Sequence, residues 1–286
     1  MRLVTCLHEG RARVGVVRED RIRLPVIEDW SRAMIRLIDA GPAAWARLAR
    51  AGADVELPLA EAELLAPLPR PRKNIMCLGW NYAEHAQESA ASQGREAKLP
   101  EHPMVFTKNV TSVNAPYGEI PCHDGVTGEL DWEVELGVII GKGGRGIPRE
   151  RALDHVFGYT VINDISARDL QFRHKQYFIG KSLDGACPMG PLIVTADEIP
   201  DPQALWLRSW VNGSLKQDSS TRHMIFPVAE IIHVLSRGMT LEPGDVIATG
   251  TPSGVGFART PPEFLKRGDV VECEVEGIGR LRNRIV

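Results

Sequence analysis

The chain has 286 residues, 25% charged and 43% hydrophobic, with a formal net charge of −3. This is a globular composition, long enough to bury a core without disulfides or a structural metal. It excludes a nucleic-acid binder that relies on bulk positive charge, and no window approaches the about 18 apolar residues of a membrane span. Five scattered cysteines (Cys6, Cys77, Cys122, Cys187, Cys273) form no C-x-x-C and argue against a zinc ribbon or a disulfide framework; with no apolar export signal at the N-terminus, a cytoplasmic location is expected.

Taken in order, residues 2–24 predict strands. Leu3 to Leu7 and Arg13 to Val17 flank His8-Glu9-Gly10, and a third short run ends at Leu24. An amphipathic helix follows, with Asp29 as N-cap and Trp30, Ala33, Met34, Leu37 and Ile38 at helical spacing before Gly41. Pro42 opens a second helix carrying Trp45, Leu48 and Ala49, which stops at Gly52. Prolines at 67, 69 and 71 block helix and strand alike. We place a boundary there, between a small N-terminal domain, 1–70, and a larger domain, 71–286.

In the second region, Asn81-Tyr-Ala-Glu-His-Ala-Gln-Glu88 predicts a helix whose Asn81 and Glu84 fit a capping box. His85 and Glu88 then share a face. A carboxylate beside an imidazole fixes its tautomer and raises its basicity, which suits a general base; an exposed His–Glu contact gives the same spacing. Asp131-Trp-Glu-Val-Glu-Leu-Gly-Val-Ile-Ile140 alternates as a strand, with Glu133 and Glu135 on one face. Two such carboxylates lie about 6.6 Å apart along the strand. Their repulsion is about 2.5 kcal/mol at an effective dielectric near 20, and burial adds to it. Both stay ionised inside a protein only around a shared cation, for which a hard divalent ion suits oxygen ligands. Glu272, Glu274 and Glu276 alternate similarly and read as a solvated face. The first pair differs because its strand runs on into the most apolar stretch of the chain. A second apolar strand, Val156 to Ile162, ends in Asn163-Asp164 and sets Asp164 as a third ligand.

Lys181, in Phe178-Ile-Gly-Lys-Ser182, reads either as a surface cation or as counter-charge and oxyanion donor for the carboxylates. Asn212-Gly213 marks a hairpin, and Val228 to Arg237 a helix closed by Gly238. Thr249-Gly-Thr-Pro-Ser-Gly-Val-Gly256 follows a short apolar strand and can offer N–H groups to an anion. It lacks the ending of a P-loop and the Gly-x-Ser-x-Gly of a nucleophile elbow. Many strands, few helices and no regular strand–helix rhythm predict an α+β fold.

Seven segments in this order resemble the fumarylacetoacetate hydrolase superfamily: Gly79-Trp-Asn-Tyr-Ala-Glu-His85, Pro103-Met-Val-Phe-Thr-Lys108, Asp131-Trp-Glu-Val-Glu-Leu136, Asn163-Asp-Ile-Ser-Ala-Arg-Asp-Leu-Gln171, Gly180-Lys-Ser182, Val211-Asn-Gly213 and the Thr249–Gly256 loop. The ending Pro261 to Asp269 is similar to the domain-containing protein 2 branch and its bacterial relatives. The resemblance implies a mixed β-roll catalytic domain behind a small N-terminal α/β domain, assembled as a homodimer. It implies Mg²⁺ or Mn²⁺ (with Ca²⁺ possible in crystals) on Glu133, Glu135 and Asp164, and a base, His85, oriented by Glu88 on a lid. Lys181 would stabilise a developing oxyanion, Arg168 and Gln171 would contact substrate, and Thr251 would hold its carboxylate. The polar stretch from Ser89 to His102 would complete the lid. The implied substrates are 2-oxo and 2,4-dioxo carboxylic acids, with aromatic catabolism as the setting. The reaction ranked first is C–C hydrolysis of an acylpyruvate or fumarylpyruvate through a metal-stabilised enolate. The alternatives on the same site are oxaloacetate tautomerase or decarboxylase action and isomerisation of the 2-hydroxyhepta-2,4-diene-1,7-dioate type. A non-catalytic metal- or carboxylate-binding protein on the same fold would carry a broken base or ligand set, and none is broken here.

Overall fold

The computed structural model describes residues 1–25, 33–53, 55–92, 94, 96 and 98–286. Asp29 and Trp30, the expected start of the first helix, lie outside them. The described strands are β1 (Arg2–His8), β2 (Arg11–Arg18), β3 (Arg21–Leu24), β4 (Val55–Pro58), β5 (Glu63–Leu65), β6 (Ile75–Gly79), β7 (Met104–Lys108), β8 (Val113–Asn114), β9 (Leu130–Asp131), β10 (Val134–Ile140), β11 (Val156–Asn163), β12 (Ser166–Ala167), β13 (Cys187–Thr195), β14 (Trp206–Val211), β15 (Ser214–Ser220), β16 (Val246–Ala248), β17 (Val270–Val275) and β18 (Gly279–Arg284). The helices are α1 (Ala33–Asp39), α2 (Gly41–Arg50), α3 (Ala83–Ser92), α4 (Arg168–Arg173), α5 (Phe178–Lys181) and α6 (Val228–Ser236). Among the described residues no helix is long and apolar enough to cross a membrane.

The main sheet is mixed. Its path runs β4-β3-β2-β1-β13-β11-β10-β16-β6-β7, with β5 on β1 and β8 on β13. The β16–β6 and β13–β8 pairs are parallel and the other pairs antiparallel. A second sheet, β15-β14-β17-β18, packs beside it. This is the α+β arrangement that the irregular strand–helix order predicts.

The centre of the main sheet is built from the most apolar runs. Every residue of β10, β11 and β13 is buried, as expected of strands covered on both faces. Strand alternation divides β10 between two cores: Val134, Leu136, Val138 and Ile140 enter one, while Ile139 joins Phe157 and Ile162 in the other. At β17 the alternation leaves Glu272 and Glu274 half-buried around a fully buried Cys273, so this is the outer face read from the sequence. The β14–β15 hairpin turns at Asn212 and Gly213, with φ of 50° and 79°, the left-handed pair that a two-residue primed turn requires.

β1 pairs with β13 through Arg2↔Val194 and Leu3↔Ile193, so the N-terminal strands extend the main sheet. α1 and α2 lay Met34, Ile35, Ile38 and Leu48 against Val14, Val16 and Phe157. Trp45 meets Phe157 edge-on at 4.8 Å between ring centroids.

Three junctions converge on one end of the sheet. β10 and β11 pair in the register Val134↔Asn163 and Glu135↔Ile162, which puts the start of one strand beside the end of the other. β16 pairs with β10 through Gly137↔Ala248 and leads straight into the Thr249–Gly256 loop. β6, parallel to β16, delivers Gly79, Trp80 and then α3 to the same place.

Candidate active site

At that end lie Glu133, Glu135 and Asp164, all buried, each offering an oxygen within 4.8 Å of the others. The β10–β11 register explains the cluster. Glu133 and Glu135 leave the same face two residues apart, and the Asp164 amide donates to the Glu133 carbonyl at 2.9 Å, drawing the third carboxylate alongside. Asn163 fixes the corner by accepting from the Glu133 amide at 3.1 Å.

Three buried cations surround the acids. Lys181 Nζ donates to Glu133 Oε2 at 2.7 Å and to Asp164 Oδ2 at 2.9 Å. Lys108 Nζ donates to Asp164 Oδ1 at 2.7 Å and to the Ile165 carbonyl at 3.0 Å. Arg168 holds Asp131 through Nε at 2.9 Å, places Nη2 2.7 Å from Glu133 Oε1, and donates from Nη1 to Gln171 at 2.9 Å. Phe257 covers the guanidinium, 4.4 Å from its ring centroid. Glycine at 180 makes this possible: a side chain there would strike the backbone of Gln171 and Ala167, so only glycine lets α5 lie against α4 and present Lys181.

The carboxylates respond differently to this setting. Burial pushes Glu133 up, but Lys181 and Arg168 outweigh it and hold the acid at about 2. Burial, then Asp164 and Glu133, push Glu135 well above the ordinary carboxylate range. Its Oε2 accepts from the Gly250 amide at 2.7 Å, and its buried Oε1 has no hydrogen-bond partner. An orphaned carboxylate oxygen beside two other acids, with oxygen donors only, suits a hard divalent cation. Glu133, Glu135 and Asp164 are the residues that would hold it.

His85 shares with Glu133 of this cluster a cleft of about 420 Å³, counting space open to solvent. His85 Nδ1 lies 2.9 Å from Glu88, so the helical pair expected from the sequence forms, and His85 is buried. Glu88 is itself held: the Gly254 amide donates to both its oxygens, at 3.0 and 2.9 Å. The glycine-rich loop therefore orients the carboxylate that orients His85. With Nδ1–H directed at Glu88, the other ring nitrogen is the one able to accept a proton.

Arg168, Gln171, Lys181 and Thr251 all line the cleft with His85 and Glu133. The Thr251 hydroxyl donates to the Val134 carbonyl at 2.9 Å and accepts from Gln217 at 2.8 Å. Arg168 is tied to the acids rather than extended toward solvent. Asn81 differs from its reading as a helix cap. Its side chain donates to the carbonyls of Phe226 (3.1 Å) and Thr249 (2.7 Å) and accepts from the Phe226 amide (2.8 Å). It staples the start of α3 to the loop from inside, and Glu84 accepts from Ser253 at 3.1 Å instead of closing a box.

Lys108, Asp131 and Gln217 belong to the site and carried no assigned role in the sequence. Asp131 accepts from the Gly256 and Phe257 amides at 2.7 and 3.0 Å as well as from Arg168. Gln217 accepts from the Val134 amide at 3.1 Å. The first two fall inside motif segments quoted above, which was the available signal; Gln217 had none.

Residues 74–286 match the family model described as fumarylacetoacetate (FAA) hydrolase C-terminal. The oxaloacetate tautomerase YisK of Bacillus subtilis (strain 168) is 54% identical over 227 residues, 79% of this chain and 74% of that protein. A fumarylacetoacetate hydrolase from the psychrophile Exiguobacterium antarcticum superposes with a TM-score of 0.86 at 41% identity, covering 100% of this chain and 99% of the other. The maleylpyruvate hydrolase of Sphingobium sp. SYK-6, in complex with manganese(II) and pyruvate, superposes with a TM-score of 0.77 at 30% identity over 100% and 99%. With its mixed sheet, its buried acid triad and this match over the region that holds them, the chain belongs to the fumarylacetoacetate hydrolase family.

Proposed function

We propose that this protein is a divalent-metal-dependent keto–enol tautomerase of oxaloacetate-like 2-oxo acids. The reading is carried by one oriented base, His85, held by Glu88 and facing a three-carboxylate cluster across a small cleft. The 54% identity to an oxaloacetate tautomerase supports it, and it takes precedence over the C–C hydrolysis ranked first from sequence. Moving a proton at one carbon needs one placed base. Hydrolysis needs a positioned water as well.

A divalent ion on Glu133, Glu135 and Asp164 would supply Lewis-acid polarisation of a substrate carbonyl. His85 takes the C3 proton on the ring nitrogen that Glu88 leaves available. The C3–H electron pair becomes the C2–C3 double bond as the C2–O π pair moves onto oxygen; the oxygen then takes the proton back from the imidazolium, and His85 ends neutral. Glu88 stabilises the imidazolium that forms, and the Gly254 amide keeps Glu88 from turning away. Lys181 and Arg168 keep Glu133 ionised, and Lys181 and Lys108 fix Asp164 in place. Phe106 and Phe257 line the cleft and give it an apolar wall.

The test follows decay of the oxaloacetate enol absorbance with Mg²⁺, with Mn²⁺ and after EDTA treatment, together with carbon products. Metal-dependent loss of the enol with no cleavage product is expected. Release of pyruvate and a second acid from an acylpyruvate, without tautomerase activity, would replace this reading with hydrolysis, and CO₂ release with decarboxylation. His85→Gln is expected to lower kcat by about 10²- to 10⁴-fold while Mn²⁺ still binds.

A further inference from the structure

Ser89 sits one helical turn beyond His85, on the same face of α3. It is 1% exposed and lines the cleft. Its hydroxyl has no hydrogen-bond partner. A helical serine ordinarily returns its proton to a carbonyl in the preceding turn, as Ser92 does to the Ser89 carbonyl at 3.0 Å. Ser89 does not. The other polar side chains singled out around the cleft already have side-chain or backbone partners: His85 with Glu88, Arg168 with Asp131 and Gln171, Lys181 with Glu133, Thr251 with Val134. Ser89 thus keeps a buried, unpartnered donor at the wall of the cleft, beside groups that are already paired.

We propose that Ser89 is a substrate-binding residue that donates a hydrogen bond to the C4 carboxylate of a 2-oxo dicarboxylic acid. This deepens the functional reading and rests on it. With the 2-oxo acid end at the carboxylate cluster and C3 beneath His85, the C4 group is the next along the chain. Side chains at i and i+4 are about 5–6 Å apart at Cβ, a spacing that lets one reach C3 while the other reaches an oxygen on C4. The residue therefore sets preference for a four-carbon dicarboxylate over the same acid without its C4 group.

The Mg²⁺-loaded protein is titrated calorimetrically with pyruvate, which lacks C4, and with oxaloacetate already at keto–enol equilibrium, so that tautomerisation adds no net heat. Ser89→Ala is expected to weaken oxaloacetate about 10-fold, the scale of one lost hydrogen bond to a charged group. Pyruvate should change less than 2-fold on the same scale. Ser89→Thr, which keeps a hydroxyl, should recover most of the loss. Equal weakening of both ligands, or of neither, overturns the assignment while leaving the tautomerase reading intact. Failure of wild-type protein to bind either ligand overturns both.

Discussion

At the residue scale, the site is a set of charges that tolerate burial only in company. Glu135 has the least company: one amide hydrogen bond and one bare oxygen. Glu135→Gln removes a charge that burial and two neighbouring acids already disfavour. It should leave the metal-free melting temperature unchanged or higher and weaken Mn²⁺ binding at least about 10-fold, as read by thermal scans beside a metal titration. Lys108 is the converse case. Its fully buried ammonium neutralises Asp164, so Lys108→Met should cost about 3–5 kcal/mol in chemical denaturation by stranding that carboxylate. The acids were legible from sequence because a strand's two-residue period announces them. Lys108 was not, and Lys181 stayed open between a surface cation and a counter-charge, because nothing local separates a buried lysine from a surface one. Lys108 meets a partner 56 positions away, and Arg168 one 37 positions away. Asn81 misled for the same reason: its spacing to Glu84 imitates a cap, while its real partners lie 145 and 168 positions on.

At the element scale, α3 and the Thr249–Gly256 loop behave as one part. Asn81 staples the helix start to the loop, Glu84 takes Ser253, and Glu88 takes Gly254. Gly254 has φ of 103°, and a Cβ there would overlap the Lys216 carbonyl oxygen. Gly254→Ala should cost about 1–3 kcal/mol from the backbone angle alone. Because it displaces the amide that holds Glu88, kcat should fall by about 10²-fold, the scale of a 1 Å misplacement of catalytic groups. Steady-state kinetics with a parallel Mn²⁺ titration check this; an undiminished kcat would mean that Glu88 is oriented without the loop. The hairpin at Asn212, helix α6 and the central strands were all readable, since turn chemistry, helical spacing and apolar runs are local. That α3 is tied to a loop more than 160 residues away was not.

At the scale of the whole molecule, the main sheet is continuous from β4 at one edge to β7 at the other. The first strand covers residues Ile193 and Val194 of β13, both buried. A fragment beginning at residue 67 should therefore aggregate or elute as large species in size-exclusion chromatography, because deletion uncovers an apolar strand edge. A monodisperse fragment with native circular dichroism would show that the catalytic region closes on its own. The α+β class was legible because composition and rhythm are global properties. The neighbour relations of β1, β13 and β16 were not, since strand order depends on pairings that no short window contains.

The division of β10 between two cores and the acid cluster has a consequence for how such a protein can change over generations. Glu133 and Glu135 face the site only because Val134 and Leu136 face the packed interior. Reading frame along this strand is thus shared by stability and chemistry. Insertion or deletion of one residue between Trp132 and Leu136 would turn the acids into the core and the aliphatic side chains into the cleft. Lineages carrying such a change would lose fold and activity together, with no intermediate for selection to act on. Length variation is tolerable only elsewhere; the proposed C4 contact at Ser89 stands on α3, outside this shared frame, so substitution there can alter substrate preference without that risk.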